Sequence, residues 1–142
     1  MENQEGARLL IDTSIWLEYL FNQKRAEEMT RMLSTVSASR FSVTEHSLGS
    51  IGVILEASGQ LPDYFQFVRE TLHESEVKRV VLASRELLDL EEPMNEHNLD
   101  FDDAYQYVAA TSRELDLVSF DTDFDRTDIE RLEPAGVLDR FG

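Results

Sequence analysis

Asp12 closes the apolar run Leu9-Leu10-Ile11, and Asp121 closes Leu117-Val118-Ser119-Phe120. Glu45 stands just past Phe41-Ser42-Val43, at the start of a helical pattern. Asp103 stands in the first turn of the helical pattern that leads into 117–120. If the apolar runs are parallel strands, Asp12, Glu45 and Asp121 lie on one edge of the sheet. Asp103 joins them, because its helix runs antiparallel to the strand that follows. Four carboxylates converging in a partly dry pocket repel one another, so protons or cations must neutralise them. Carboxylate oxygens without histidine or cysteine suit hard ions, meaning Mg²⁺ or Mn²⁺. Such ions activate water and stabilise in-line displacement at phosphorus. The implied chemistry is metal-dependent phosphodiester hydrolysis.

Short apolar runs must position these acids. Strands are expected at 9–11, 41–43, 80–82 and 117–120, with a short edge strand at 137–138. Helical stripes run through Ile15, Trp16, Tyr19 and Leu20, then Met29, Met32, Leu33 and Val36. Thr13 or Ser14 is placed to cap the first. A third helix runs from Glu45, capped by Thr44 and stopped at Gly59. A fourth covers 63–73 behind Leu61-Pro62, and Ser84 caps a fifth over 85–90. The proline-bearing stretch 91–97 is expected to be loop. Asp100 opens the helix that carries Asp103, and 122–131 reads as an acidic loop. Short strands alternating with helices of ten to fifteen residues predict a parallel sheet covered on both faces, a three-layer α/β/α sandwich. Ligands bind such sheets outside the carboxyl ends of the strands.

Four segments now resemble one family. They are Ile11-Asp12-Thr13-Ser14, Ser42-Val43-Thr44-Glu45, Leu99-Asp100-Phe101-Asp102-Asp103-Ala104, and Val118-Ser119-Phe120-Asp121-Thr122-Asp123-Phe124. In order and spacing they are similar to the PIN domain, the ribonuclease fold of VapC-type toxins and of several RNA-processing nucleases. The resemblance spans roughly 8–140. It implies Asp12, Glu45, Asp103 and Asp121 as the catalytic, metal-holding acids. It also implies Asp123 as an accessory ligand and Ser14 as a support for Asp12. It implies RNA hydrolysis by water activated on one or two Mg²⁺ or Mn²⁺ ions, leaving 5′-phosphate and 3′-hydroxyl ends. Many members are homodimers, and many are silenced by a small antitoxin. His46-Ser47-Leu48-Gly49 departs from the small apolar run that the family places beside its second acid. The expected biology is the toxin of a toxin–antitoxin pair. The alternatives are a stand-alone RNA-processing nuclease and a catalytically quiet module that binds RNA or protein.

Other readings of the same residues fail. An EF-hand loop counted from Asp121 needs glycine at its sixth position and glutamate at its twelfth. It finds Arg126 and Leu132. A receiver domain would want an acid pair after the first strand and a lysine near the end, and neither is present. Asp102 is the rival of Asp103 as ligand. His46, His73 and His97 share no motif, and His46 is the one placed to touch substrate. Tyr105 is a candidate oligomer contact, and Arg126, close behind Asp121, a candidate RNA contact.

The 142 residues contain 29 Asp+Glu against 13 Lys+Arg, a formal net charge of −16. That excludes nucleic-acid binding through a simple basic face, since phosphate affinity comes from Lys and Arg. Only two cations are lysine, Lys24 and Lys78. An acidic, lysine-poor surface is the balance expected of a salt-adapted archaeal protein, with carboxylate repulsion screened by the medium. Cysteine is absent, which excludes disulfides and zinc–thiolate sites. No apolar run reaches the ~18 residues of a membrane span, and the polar start MENQEGAR lacks a leader pattern. The expectation is a single cytoplasmic domain over 1–142, with 1–7 as a flexible tail.

Overall fold

The computed structural model describes residues 7–142. Most of the expected N-terminal tail, residues 1–6, lies outside them. The elements are β1 (Leu9–Ile11), α1 (Thr13–Leu20), α2 (Ala26–Thr35), β2 (Phe41–Thr44), α3 (Glu45–Ala57), α4 (Leu61–Val68), β3 (Lys78–Val80), α5 (Ser84–Leu88), α6 (Glu91–Glu96), α7 (Phe101–Ser112), β4 (Asp116–Val118) and α8 (Pro134–Phe141). The sheet order is β3-β2-β1-β4, with every pairing parallel. Helices cover both faces, giving the α/β/α sandwich and burying β1 and β2 along their whole length.

The alternation of side chains along β1 divides the core. Leu9 and Ile11 face one layer, with Ile15, Trp16, Met29, Met32, Phe41, Val43, Ile51 and Leu55. Leu10 faces the other, with Leu117, Val80, Ala104, Val108, Ala109 and Phe124. The register sets Leu10 opposite Ser42 on one side and Leu117 on the other. The carboxyl ends of β1, β2 and β4 therefore open on the same edge.

Three expected elements change. The stretch 91–97 is largely helical, because Pro93 sits in the first turn of α6, where its missing N–H has no intrahelical acceptor to lose. Residues 137–138 belong to α8 instead of an edge strand. Pro134 opens that helix, and Pro134 and Val137 bury one of its faces. The edge is extended instead by a parallel bridge between Val118 and Leu132. The third strand ends at Val80, two residues earlier than expected. Leu82 leaves the ladder, and its N–H donates to the Tyr105 hydroxyl at 3.2 Å. Tyr105 is thereby a core residue, its ring stacked on His46, and not a free oligomer contact.

The caps are largely as expected. Thr44 caps α3, its hydroxyl accepting from Ser47 N–H at 2.9 Å. Gly59 ends that helix in the left-handed region at φ +73°. Gly59 N–H bonds Glu56 O, and Gln60 N–H bonds Leu55 O, a Schellman pair. Asp100 caps α7 by accepting from Asp103 N–H at 2.9 Å. At α1 the cap position is Asp12, not Thr13 or Ser14, and its side chain makes no capping hydrogen bond; at α5 the cap position is Ala83, not Ser84. Among the described residues no helix is long and apolar enough to cross a membrane.

Candidate metal centre

Asp12 leaves β1 with its carboxylate turned into the protein, 5% exposed. Oδ2 accepts from the Ser119 hydroxyl at 2.6 Å and the Ser14 hydroxyl at 3.0 Å. Oδ1 accepts from Gln106 Nε2 at 2.9 Å. Burial pushes the Asp12 pKa up, and these donors, with the Thr13 backbone, pull part of the way back. Ser14, the residue expected to support Asp12, is one of these donors. Its hydroxyl also accepts from Phe120 N–H at 3.1 Å, which fixes the approach to Asp121.

Asp103 is also 5% exposed, and its Oδ2 is buried with no hydrogen-bond partner. Asp121 caps the turn Thr122–Arg126 by accepting from Asp123 N–H at 2.9 Å, while its own N–H donates to the Ser119 hydroxyl. Asp103, Asp121 and Asp123 each present a carboxylate oxygen, and the three atoms lie within 4.8 Å of one another. Burial raises the Asp103 pKa to about 8, followed by its hydrogen bond and charge interaction with Asp121 and by the charges of Asp100 and Asp12. A buried carboxylate oxygen without a partner, beside two more carboxylates, fits a hard cation. The neighbour Asp102 points to solvent and pairs with His46, so Asp103 is the inward acid of the two.

Asp12 is not one of these three, although its charge reaches Asp103. Glu45 is not part of the group either. It is the first residue of α3, with its side chain 55% exposed and 3.3 Å from the Arg79 guanidinium. Two residues later, Ser47 occupies the buried face. Its Oγ meets Thr13 Oγ1 at 2.7 Å, Thr44 Oγ1 at 3.1 Å and Gln106 Nε2 at 3.1 Å. Ser47 and Gln106 are the polar residues that sequence reasoning missed. The readable signals were the i, i+3 spacing of Asp103 and Gln106 on α7, and Ser47 three residues past its cap.

Arg126 is partly committed within the protein. Its Nε and Nη2 donate to the carbonyls of His97 and Asn98 at 3.1 and 2.8 Å. Its Nη1 reaches Asp123 at 3.4 Å. It thus fastens the loop before α7 to the turn that carries Asp121 and Asp123.

Residues 9–130 match the family model of the PIN domain. The chain belongs to the PIN domain family. Among solved structures this PIN domain is similar to VapC20 of Mycobacterium tuberculosis, a sarcin–ricin loop cleaving toxin. The TM-score is 0.72 at 15% identity, over 86% of this chain and 96% of that one. It is similar to DNA-bound VapBC of Salmonella typhimurium, at TM-score 0.67 and 18% identity, over 89% and 97% of the two chains. A toxin–antitoxin complex from Klebsiella pneumoniae superposes at TM-score 0.65 and 20% identity, over 89% and 97%. At these identities the likeness establishes the fold. A search of curated proteins returned no match.

Proposed function

We propose that this PIN domain is a metal-dependent endoribonuclease, acting in the cytoplasm as the toxin of a toxin–antitoxin pair. The observation that carries the reading is the buried, unpartnered Oδ2 of Asp103 beside Asp121 and Asp123, at the edge where β1 and β4 end. Asp103, Asp121 and Asp123 would hold the ion, and Asp12, fixed by Ser14 and Ser119, would be the anion behind it. A bound Mg²⁺ or Mn²⁺ supplies a Lewis acid for the phosphoryl oxygen and lowers the pKa of water. The protein's own part is to keep four carboxylates in place at the cost of their mutual repulsion, so that a phosphate can be met by an anionic chain.

Toxin relatives of the same fold support an antitoxin partner, since the Salmonella and Klebsiella structures are toxin–antitoxin assemblies. The substrate is RNA, as for the sarcin–ricin loop cleaving VapC20, and the functional unit a homodimer. A second reading is favoured by the position of Glu45, which pairs with Arg79 outside the acid group. It is a module that binds RNA or protein without cutting.

One experiment separates the two. A mixed single-stranded RNA is incubated with the protein in Mn²⁺, Mg²⁺ or EDTA, at low and high KCl, beside Asp12→Asn and Asp103→Asn. The nuclease reading expects metal-dependent cutting that falls on the order of 100-fold in either variant. Folded wild-type protein that cuts in no metal and no salt would leave the binding module.

A further inference from the structure

We propose that Gln106 is a positioning residue of the metal centre, a neutral lock that sets the direction of the Asp12 carboxylate. The inference rests on the metal-dependent reading above. Gln106 is 1% exposed, on the same face of α7 as Asp103 and one turn further along. Its amide has only one workable orientation. Oε1 accepts from the Thr44 hydroxyl at 2.8 Å, and Nε2 donates to Asp12 Oδ1 at 2.9 Å and to Ser47 Oγ at 3.1 Å. Thr44 Oγ1 accepts the Ser47 N–H, and of the two acceptors within reach of its proton Gln106 Oε1 at 2.8 Å is nearer than Ser47 Oγ at 3.1 Å. Turning the amide over would aim an oxygen at the Asp12 carboxylate, which has no proton to give it.

The lock ties three segments that are distant in sequence. Thr44 ends β2, Gln106 lies in the middle of α7, and Asp12 ends β1. On Asp12 the two oxygens are held differently. Oδ2 is met by two serine hydroxyls, each of which also accepts a backbone N–H, Ser14 from Phe120 and Ser119 from Asp121. Among the described side chains, Oδ1 is met by Gln106 alone, through a planar amide that is pinned at its other end. With Oδ2 anchored by the serines, Gln106 is the contact that places Oδ1 and so sets the tilt of the carboxylate plane.

The residue type matters as much as the place. A lysine or arginine here would neutralise Asp12 and compete with a cation. A glutamate would repel it. An amide orients the carboxylate and leaves its negative charge available. Loss of such an outer contact lowers metal affinity or activity by about 10–100-fold in metalloenzymes.

The test uses the full chain, with Mn²⁺ affinity read from the electron paramagnetic resonance of free Mn²⁺ and RNA cleavage run in parallel. Gln106→Met keeps the length and removes the amide. It should weaken Mn²⁺ binding about 10-fold or more and lower kcat, with KM for RNA little changed. In an Asp12→Asn background the same substitution should change Mn²⁺ affinity little, because the residue acts through Asp12. Thr44→Val, which frees the far end of the amide, should shift affinity in the same direction, and Thr44→Ser should restore it. These two variants carry the test if Gln106→Met fails to fold. Wild-type affinity in folded Gln106→Met, or effects that multiply in the Asp12→Asn background, would overturn the proposal alone. Wild-type protein that binds no Mn²⁺, with Asp103→Asn indistinguishable from it, would overturn the metal reading and this proposal with it.

Discussion

Asp103 concentrates the electrostatic tension of the site. Its carboxyl is buried, one oxygen has no partner, and the nearest charges are those of other acids. In the unfolded chain an aspartate gives up its proton near pH ~3.9. In the fold, Asp103 keeps one until about 8. The unfolded state therefore holds fewer protons between these values, and the contribution of Asp103 to stability falls as pH rises through them. Asp103→Asn removes that loss. The expected outcome is a higher Tm than wild type for the metal-free variant at pH 8, and little difference at pH 4. Mn²⁺ should raise the Tm of the wild type at pH 8 and not that of the variant. A thermal-shift series in EDTA and in Mn²⁺ reads both, and a Tm difference independent of pH would sink the assignment.

At the scale of elements, α3 carries two tasks. Its start delivers Thr44 and Ser47 to the buried network, and its end must release the chain towards α4. The release depends on Gly59, whose φ of +73° is a conformation that an L side chain adopts only with strain. Gly59→Ala is expected to cost about 1 kcal/mol in urea unfolding, with Mn²⁺ affinity unchanged, since Gly59 lies at the other end of the helix. Between α5 and α7, Glu86 accepts from Ala83 N–H and is gripped by Arg113 Nη1 and Nη2 at 3.0 and 3.1 Å. Arg113 holds the Glu86 pKa down to about 2. That stabilisation is complete above the ordinary glutamate range and is lost as pH falls towards about 2. Glu86→Gln should lower stability by about 1 kcal/mol at pH 7, and the gap to wild type should close in acid. A gap that stays constant down to pH 2 would contradict it.

Over the whole molecule, the net charge of −16 works against both the fold and its proposed substrate. Screening shortens the reach of that repulsion from ~10 Å at 0.1 M salt to ~3 Å at 1 M. The Tm is expected to rise by several degrees between 0.1 and 1 M KCl, as surface carboxylates cease to feel one another. Asp12 and Asp103, being buried, are screened less, so the pH effect of Asp103→Asn should persist at high salt. A flat or falling Tm would remove salt adaptation as the reason for the acidic surface.

Much of this architecture was legible in the amino-acid order. Apolar runs ending in Asp12 and near Asp121 determine which edge of a parallel sheet collects acid, because alternating strands and helices leave one workable layering. Capping residues are equally local. Thr44, Gly59 and Asp100 act on backbone groups within a few residues, so their roles follow from neighbours alone. The choice of Ser47 over Glu45 as the buried residue of α3 could not be made in that way. Each step along a helix turns the side chain by about 100°, so two residues decide between interior and rim, and the phase of α3 is set by how Leu48, Ile51 and Leu55 seat against the sheet. Gln106 is the same case. An amide in a helix is unremarkable in sequence and becomes part of a site only when tertiary packing sets it between Thr44 and Asp12. Local chemistry is written in the order of residues, but the direction in which a helix presents it depends on packing between segments far apart in the chain.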